Sequence, residues 1–328
     1  MSLAYLSKPG TRVTRRGDRL IVSAKDAEPV QLTLCRLSAL LCYGPVVFTR
    51  PALDAIADAG LPVGMLSSRG ALRSRLLPAV DHHTPRLGQL LTLDRPRRRV
   101  EWGRHTASRK LRAARQVLMD ARGRPEPVRS ALTRIDDSLS RIDHASTLSR
   151  IRGLEGIAAR AYWTAFPCLL RGDLPMRGRS KRPPKDPVNA MLSVGYTMLA
   201  QETAGVLETL GIDSHLGYLH SPRGRGPALA LDVMEPFRHR VIDRMVLREI
   251  NLRRFQRDDF RDRHGGVQLK PAAFRRFAEA YDRALTQPRR HLAGGARCLR
   301  ALLLFHCHRW AQRFHRRGQR RLDALEEL

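Results

Sequence analysis

The hydrophobic period changes once along this chain, and that change constrains the fold more than any other feature. Up to about residue 85, short β-favouring runs (Arg12-Val-Thr, Arg19-Leu-Ile-Val, Val30-Gln-Leu-Thr-Leu, Pro45-Val-Val-Phe-Thr, Leu61-Pro-Val-Gly-Met-Leu) alternate with turn formers at Pro9-Gly10, Arg16-Gly17-Asp18 and Gly44-Pro45. One helix, from Arg50-Pro51 through Ala59 and stopped by Gly60, interrupts them. From Ser108 the period shifts toward 3.6 residues, and Leu/Ala/Arg-rich stretches continue to the C-terminus. The expected class is therefore α+β: a small β-rich N-terminal domain over residues 1–85, then a larger all-α C-terminal domain over 86–328 with a basic end. Residues 78–108 read as a connector between the two. A chain of 328 residues exceeds what one core usually organises. A small sheet with apolar strands is marginal alone, so the N-terminal domain is expected to need a partner surface.

Charge then narrows the function. The chain has 60 Lys and Arg against 31 Asp and Glu, a net charge of +29, with 42% hydrophobic residues. Enough apolar residues for real cores exclude a wholly disordered chain. The surplus calls for an anionic partner, of which nucleic acid is the commonest. It is uneven: residues 95–124 carry a local +9, and residues 289–321 hold ten Arg and no acid. The second cluster reads as a solvated or disordered tail beyond residue 311, and the first as a possible groove at a domain junction. Only six of the basic residues are Lys. The longest apolar stretch, roughly Leu37 to Phe48, is too short to cross a bilayer, and no signal-peptide layout opens the chain. Five scattered cysteines fit a reducing compartment. The expectation is a cytoplasmic protein with no membrane association.

Chemistry is sought where carboxylates fall on apolar helix faces. Residues 151–166, placed on a helix, put Ile151, Leu154, Ala158, Ala161, Tyr162, Ala165 and Phe166 on one arc with Glu155 inside it. A carboxylate there must be paired or hold a metal; alone it reads as structural, bridged to Arg152 or Arg160. A second helix begins after Pro227, with Leu231, Met234, Ile242 and Met245 on its apolar arc. Glu235 lies within that arc, and Asp232 sits three residues earlier at its solvent edge. Pro236 should kink the helix at Glu235. Upstream, His220 ends an apolar stretch and precedes the basic loop Ser221-Pro-Arg-Gly-Arg-Gly226. Two carboxylates and an imidazole make a hard oxygen/nitrogen donor set suited to Mg2+ or Mn2+. The loop offers guanidinium and amide groups to phosphate. His306-Cys307-His308 lacks a paired cysteine motif, so it reads as helix surface and not as a zinc site.

At these same residues the sequence resembles the CRISPR-associated adaptation integrase family, the first-numbered Cas protein. His220 through Arg238, with Asp243-Arg244 in register, resembles the family's central signature. Arg182-Pro-Pro-Lys-Asp-Pro-Val-Asn-Ala-Met-Leu-Ser-Val-Gly-Tyr196 resembles a second, and Leu154-Glu155-Gly156 through Tyr162-Trp163 a third. The resemblance runs from about residue 3 to residue 285. It implies a β-rich domain that builds a two-fold homodimer and a helical domain that carries a divalent metal. It also implies Glu155, His220 and Glu235 as ligands and Asp232 as the nearby acid; Arg223 and Arg225 are assigned to DNA phosphate, with solvated loop residues as the alternative, and Arg238 is assigned with them. A small second CRISPR-associated adaptation protein and double-stranded DNA are the implied partners. The implied reaction is attack of a fragment's 3′-hydroxyl on a repeat phosphodiester, together with endonuclease activity. Asn189 and Ser193 read as packing and capping residues, with Asp186-Pro187 as a helix start. Two other readings compete: a non-catalytic basic nucleic-acid-binding scaffold, and an unrelated metal nuclease that cuts without joining.

Overall fold

The computed structural model describes residues 2–8, 10–24, 27–67, 72–77, 83–121, 123–220, 226–263, 265–289 and 295–326. These fall into two compact units. The first comprises Met1–Arg95, Ala200–Leu231 and Leu302–Leu328, and the second Pro96–Leu199 and Asp232–Ala301.

In the first unit, β1 (Ser2–Leu6), β2 (Thr11–Arg16), β3 (Arg19–Ala24), β4 (Ala27–Thr33), β5 (Leu37–Tyr43), β6 (Val46–Phe48), β7 (Val63–Leu66) and β8 (Leu72–Leu76) form two four-stranded sheets. One has the order β4-β3-β2-β6, an antiparallel meander turned at Gly17 with β6 added in parallel. The other has the order β1-β5-β7-β8, with β5 parallel to both its neighbours. A parallel pair needs a crossover, and α1 (Arg50–Asp58) lies within the connection between β5 and β7. Its Ala52, Ala55 and Ile56 are buried at helical spacing, Pro51 sits in its first turn, and Gly60 ends it at φ +61°. Strand β5 is apolar without alternation because it is covered on both faces: Ala39, Leu40, Leu41 and Cys42 are all fully buried.

Helix α2 (His83–Leu93) occupies residues expected to be a connector, and α3 (Pro96–Met119) begins twelve residues before Ser108. The arginines of residues 95–104 mask the apolar period there. Further along come α4 (Glu126–Ile142), α5 (Leu148–Ala165), α6 (Pro187–Thr209), α7 (Ala228–Phe237), α8 (Arg244–Asn251), the hairpin β9 (Phe260–Arg263) and β10 (Gly266–Leu269), α9 (Pro271–Thr286) and α10 (Leu299–Glu326). The hairpin is the one β element of the helical region among the described residues, and sequence reading did not place it. Helix α10 also corrects the expectation of a solvated or disordered tail beyond residue 311. Its Trp310, Ala311 and Phe314 are buried, and so is Cys307 of the segment read as helix surface. Close approach to α2 explains this: a Cβ at Gly88 would lie 1.8 Å from the Phe314 carbonyl oxygen, and one at Gly318 2.1 Å from that of Thr84. Also in the first unit, the second half of α6 packs on the β5 sheet. The Tyr43 hydroxyl donates to buried Glu202 at 3.0 Å, and Gly64 faces Thr209.

The second unit is built on α3, α4 and α5, whose buried stripes recur every three to four residues: Leu111, Ala114 and Val117; Val128, Ala131 and Ile135; Ile151, Leu154 and Ala158. Helix α7 passes through Pro236, and a π-helical turn over Arg238–Asp243 follows before α8. The break expected at Glu235 therefore takes the form of a widened turn that starts three residues later, as Pro236 removes a donor from the i→i−4 ladder. Against this turn, Gly195 of α6 lets Ile242 approach closely.

Candidate functional site

Helix α5 presents the stripe the sequence predicted, with Ile151, Leu154, Ala158, Ala161, Tyr162 and Ala165 buried. Glu155 lies beside the stripe rather than within it, its side chain 16% exposed. Helix α7 departs from expectation. Ala228, Leu229, Ala230, Val233, Met234 and Phe237 are all buried and Leu231 is only partly exposed, and Asp232, placed at a solvent edge by its sequence, is fully buried. A helix covered on nearly every side cannot be read as amphipathic, so the arc argument fails for it. Glu235, one turn later, is 1% exposed.

The two glutamates meet at a residue that sequence reasoning missed. Lys110 of α3, itself 8% exposed, directs its Nζ to Glu155 Oε1 and, at 2.9 Å, to Glu235 Oε2. Lys110 continues the apolar stripe of α3 through Gly103, Ala107 and Ala114. A Lys on a buried helix face, in a chain with six Lys among sixty basic residues, was the signal available. Lys110 thus bridges Glu155, for which Arg152 or Arg160 was expected.

Glu235 Oε1 accepts from Arg238 Nη1 at 2.9 Å, and the Arg238 guanidinium lies 4.2 Å from the centre of the Tyr196 ring. Burial alone would lower the Arg238 pKa, but the charge of Glu235, supported by Tyr196 and Asp243, outweighs it and raises the value. Nearby Lys181 is held below the ordinary lysine range by burial, then by repulsion from Arg238, Arg179 and Lys110, with Glu235 opposing. Glu235 is thus the negative focus of a cationic neighbourhood.

Behind Tyr196 lies a buried network. Asp243 accepts hydrogen bonds from Tyr162 Oη at 2.7 Å and from Tyr196 Oη, and His239 Nδ1 stands 2.6 Å from Asp243 Oδ2. Burial would raise the Asp243 pKa, but the His239 charge and the hydrogen bonds from His239, Tyr196 and Tyr162 bring it below the ordinary value. Both tyrosines are pushed well above the usual phenol range, first by burial and then by Asp243. Arg179 lies over Trp163 and Tyr196 and donates to Asn189 Oδ1 at 2.7 Å and Ser193 Oγ at 3.1 Å. Asp186 Oδ1 caps α6 by accepting from the Asn189 amide at 2.8 Å. Asn189 and Ser193 therefore pack and position, as their sequence context suggested.

Among the other sequence-predicted residues, His220 is partly exposed after the buried Tyr218-Leu219 and belongs to the first unit. Arg223 and Arg225 lie outside the described residues. Also in the first unit, Glu208, Asp213 and His215 bring ligand atoms within 4.8 Å of one another. Their carboxylates serve the turn after α6: Glu208 accepts from the Ser214 amide at 2.8 Å and from Arg75 at 3.1 Å, and Asp213 accepts from the His215 amide at 2.9 Å. Among the described residues, no helix is long and apolar enough to cross a membrane.

Comparison with known proteins adds the following. The family model described as CRISPR associated protein Cas1 matches residues 4–283. The chain is 32% identical over 305 residues to a CRISPR-associated endonuclease Cas1 of Thermus thermophilus, covering 92% of this chain and 88% of that one. Its fold resembles a chain of a partial Cas6-RT-Cas1–Cas2 complex (TM-score 0.83, 24% identity) and a casposase bound to an integration product (TM-score 0.78, 21% identity), each over 96% of both chains. On the extent of these matches, the chain belongs to the CRISPR-associated protein Cas1 family.

Proposed function

We propose that this chain is a divalent-metal-dependent DNA integrase and endonuclease whose site is built on Glu155, His220 and Glu235, with Asp232 as an accessory acid. One observation carries the reading: carboxylates from α5 and α7 converge on a single cationic point, the Lys110 ammonium, beneath a set of further cations. Oxygen donors aimed at one positive centre fit Mg2+ or Mn2+, and neutral imidazole at His220 completes a hard mixed set. Bound there, such an ion would supply charge stabilisation at a phosphodiester undergoing displacement.

The chain's own residues do the rest. Arg238 holds Glu235 in one orientation through Oε1, and Tyr196 and the Asp243 network hold Arg238. Asp232, one turn before Glu235 and fully buried, orients the attacking oxygen or its hydrogen-bond partners. Arg223, Arg225 and the remaining guanidinium edge of Arg238 contact DNA phosphate. In strand transfer the fragment's 3′-oxygen forms a new bond to phosphorus, the bond to the repeat's 3′-oxygen breaks, and a proton passes from the attacking to the departing oxygen. The net charge of +29 supports double-stranded DNA as the partner. A chain of this fold occurs in a complex named for Cas2, which supports the small second adaptation protein as a partner. Homodimerisation through residues 1–85 belongs to the same reading.

The test is a strand-transfer assay on a labelled repeat duplex, with and without the small partner, in Mg2+ or Mn2+. Joined product is expected from the wild type and none from Glu155→Gln or Glu235→Gln. No product from the wild type, cut or joined, would establish the scaffold reading, unchanged joining in both variants would overturn the site, and cutting without joining would establish a simple nuclease.

A further inference from the structure

We infer that Lys110 is the site's built-in counter-cation: it occupies the position between Glu155 and Glu235 when no metal is present, and it must withdraw for a divalent ion to bind. This rests on the proposed metal site and goes beyond it by assigning a role to a residue outside the ligand set.

The geometry carries the inference. Lys110 Nζ contacts one oxygen of each carboxylate, with Glu235 at 2.9 Å. Arg238 occupies the other Glu235 oxygen at 2.9 Å. The two glutamates therefore carry two negative charges already matched by two positive ones, in a place where Lys110 and Glu235 are almost wholly buried. A divalent ion on the same oxygens cannot share them with an ammonium, because two positive centres at contact distance repel strongly in a poorly solvated site. The residue type suits the role. An ammonium is a compact point charge on a flexible stem, able to leave a site without dismantling it, whereas a planar guanidinium forks onto a carboxylate and holds it. Here the fork belongs to Arg238, which orients Glu235, and the point charge to Lys110, which stands at the convergence point. In the metal-free protein Lys110 neutralises Glu155 and faces the Glu235 oxygen that Arg238 does not bond, and metal affinity is reduced by the free energy of displacing it.

The experiment titrates Mn2+ alone into metal-free full-length protein, read by calorimetry and water-proton relaxation, with melting temperature measured alongside. Lys110→Met is expected to melt lower than wild type without metal, to bind Mn2+ roughly tenfold or more tightly, and to gain more melting temperature from Mn2+. Should Lys110→Met not fold without metal, Lys110→Gln, which keeps an N–H donor without the charge, is expected to show the same tightening. Affinity unchanged or weakened by the substitution overturns the inference, since Lys110 would then be a bystander or a support for the ligands. Glu235→Gln is the control that separates the two readings. Wild-type Mn2+ binding lost in Glu235→Gln but not tightened by Lys110→Met sinks the Lys110 role alone. Wild-type protein with no Glu235-dependent Mn2+ binding sinks the metal site as well.

Discussion

The Arg238 guanidinium lies 4.2 Å from the centre of the Tyr196 ring. That contact joins the buried Asp243 network to the carboxylate of Glu235, because Tyr196 donates to Asp243 at one end and Arg238 donates to Glu235 at the other. An acid far from any ligand role thus helps set the orientation of one proposed for the metal.

Removing only the Tyr196 hydroxyl tests the network without disturbing the ring. Tyr196→Phe leaves Asp243 short of one donor in a fully buried setting, which should destabilise the fold by about 1–3 kcal/mol. Tyr196→Leu should lose that and the support under Arg238, so it should fall further. Urea unfolding followed by circular dichroism measures both.

Asp243 gives the fold an acid limit. Its folded pKa lies below the ordinary carboxylate value, so its contribution is fully present above that ordinary value, near pH 4, and declines as pH falls through the lower folded value. The stability difference between wild type and Asp243→Asn should therefore stay level from neutral pH to about pH 4 and shrink below it. Unfolding curves across roughly pH 2–7 would show this. A difference that grows on acidification would contradict the assignment.

The α2–α10 crossing should not tolerate a methyl group. A Cβ at Gly88 meets the Phe314 carbonyl at 1.8 Å, and backbone cannot rotate away as a side chain can. Gly88→Ala should destabilise the protein by about 3 kcal/mol or more, seen as a clear drop in melting temperature. Gly153→Ala, where no atom lies within 4 Å, is the control and should be neutral or stabilising.

Asp232 and Glu235 should separate in a metal titration. Lys110 marks Glu155 and Glu235 as the convergent carboxylates. Glu235→Gln should therefore weaken Mn2+ binding far more than Asp232→Asn, while both slow strand transfer. Equal loss of metal would make Asp232 a direct ligand.

Much of this was legible locally. The α5 stripe, the Gly60 stop, the Asp186 cap of α6 and several of the N-terminal strands follow from spacing and turn chemistry, because each depends on neighbours within a turn or a strand. The acids Glu155 and Glu235 were found for the same reason: a carboxylate among apolar residues stands out in any helical projection. The helical start at Pro96 was hidden because arginines with long apolar stems cover helix surface while reading as polar.

By itself, the sequence determined the shift from strands to helices, the basic character of the chain and the two glutamates that need a cation. Only the tertiary structure decided which cation meets them, that Asp232 has no solvent edge, and that the Arg-rich last helix is packed rather than frayed. The physical reason is common to all three. Periodicity reports which face of one helix is apolar, but the number of neighbours covering that helix, and the charge that arrives from another helix, depend on packing between segments far apart in the chain. Lys110 is adjacent to Glu155 and Glu235 only because α3, α5 and α7 pack around one point, and no local pattern encodes that meeting.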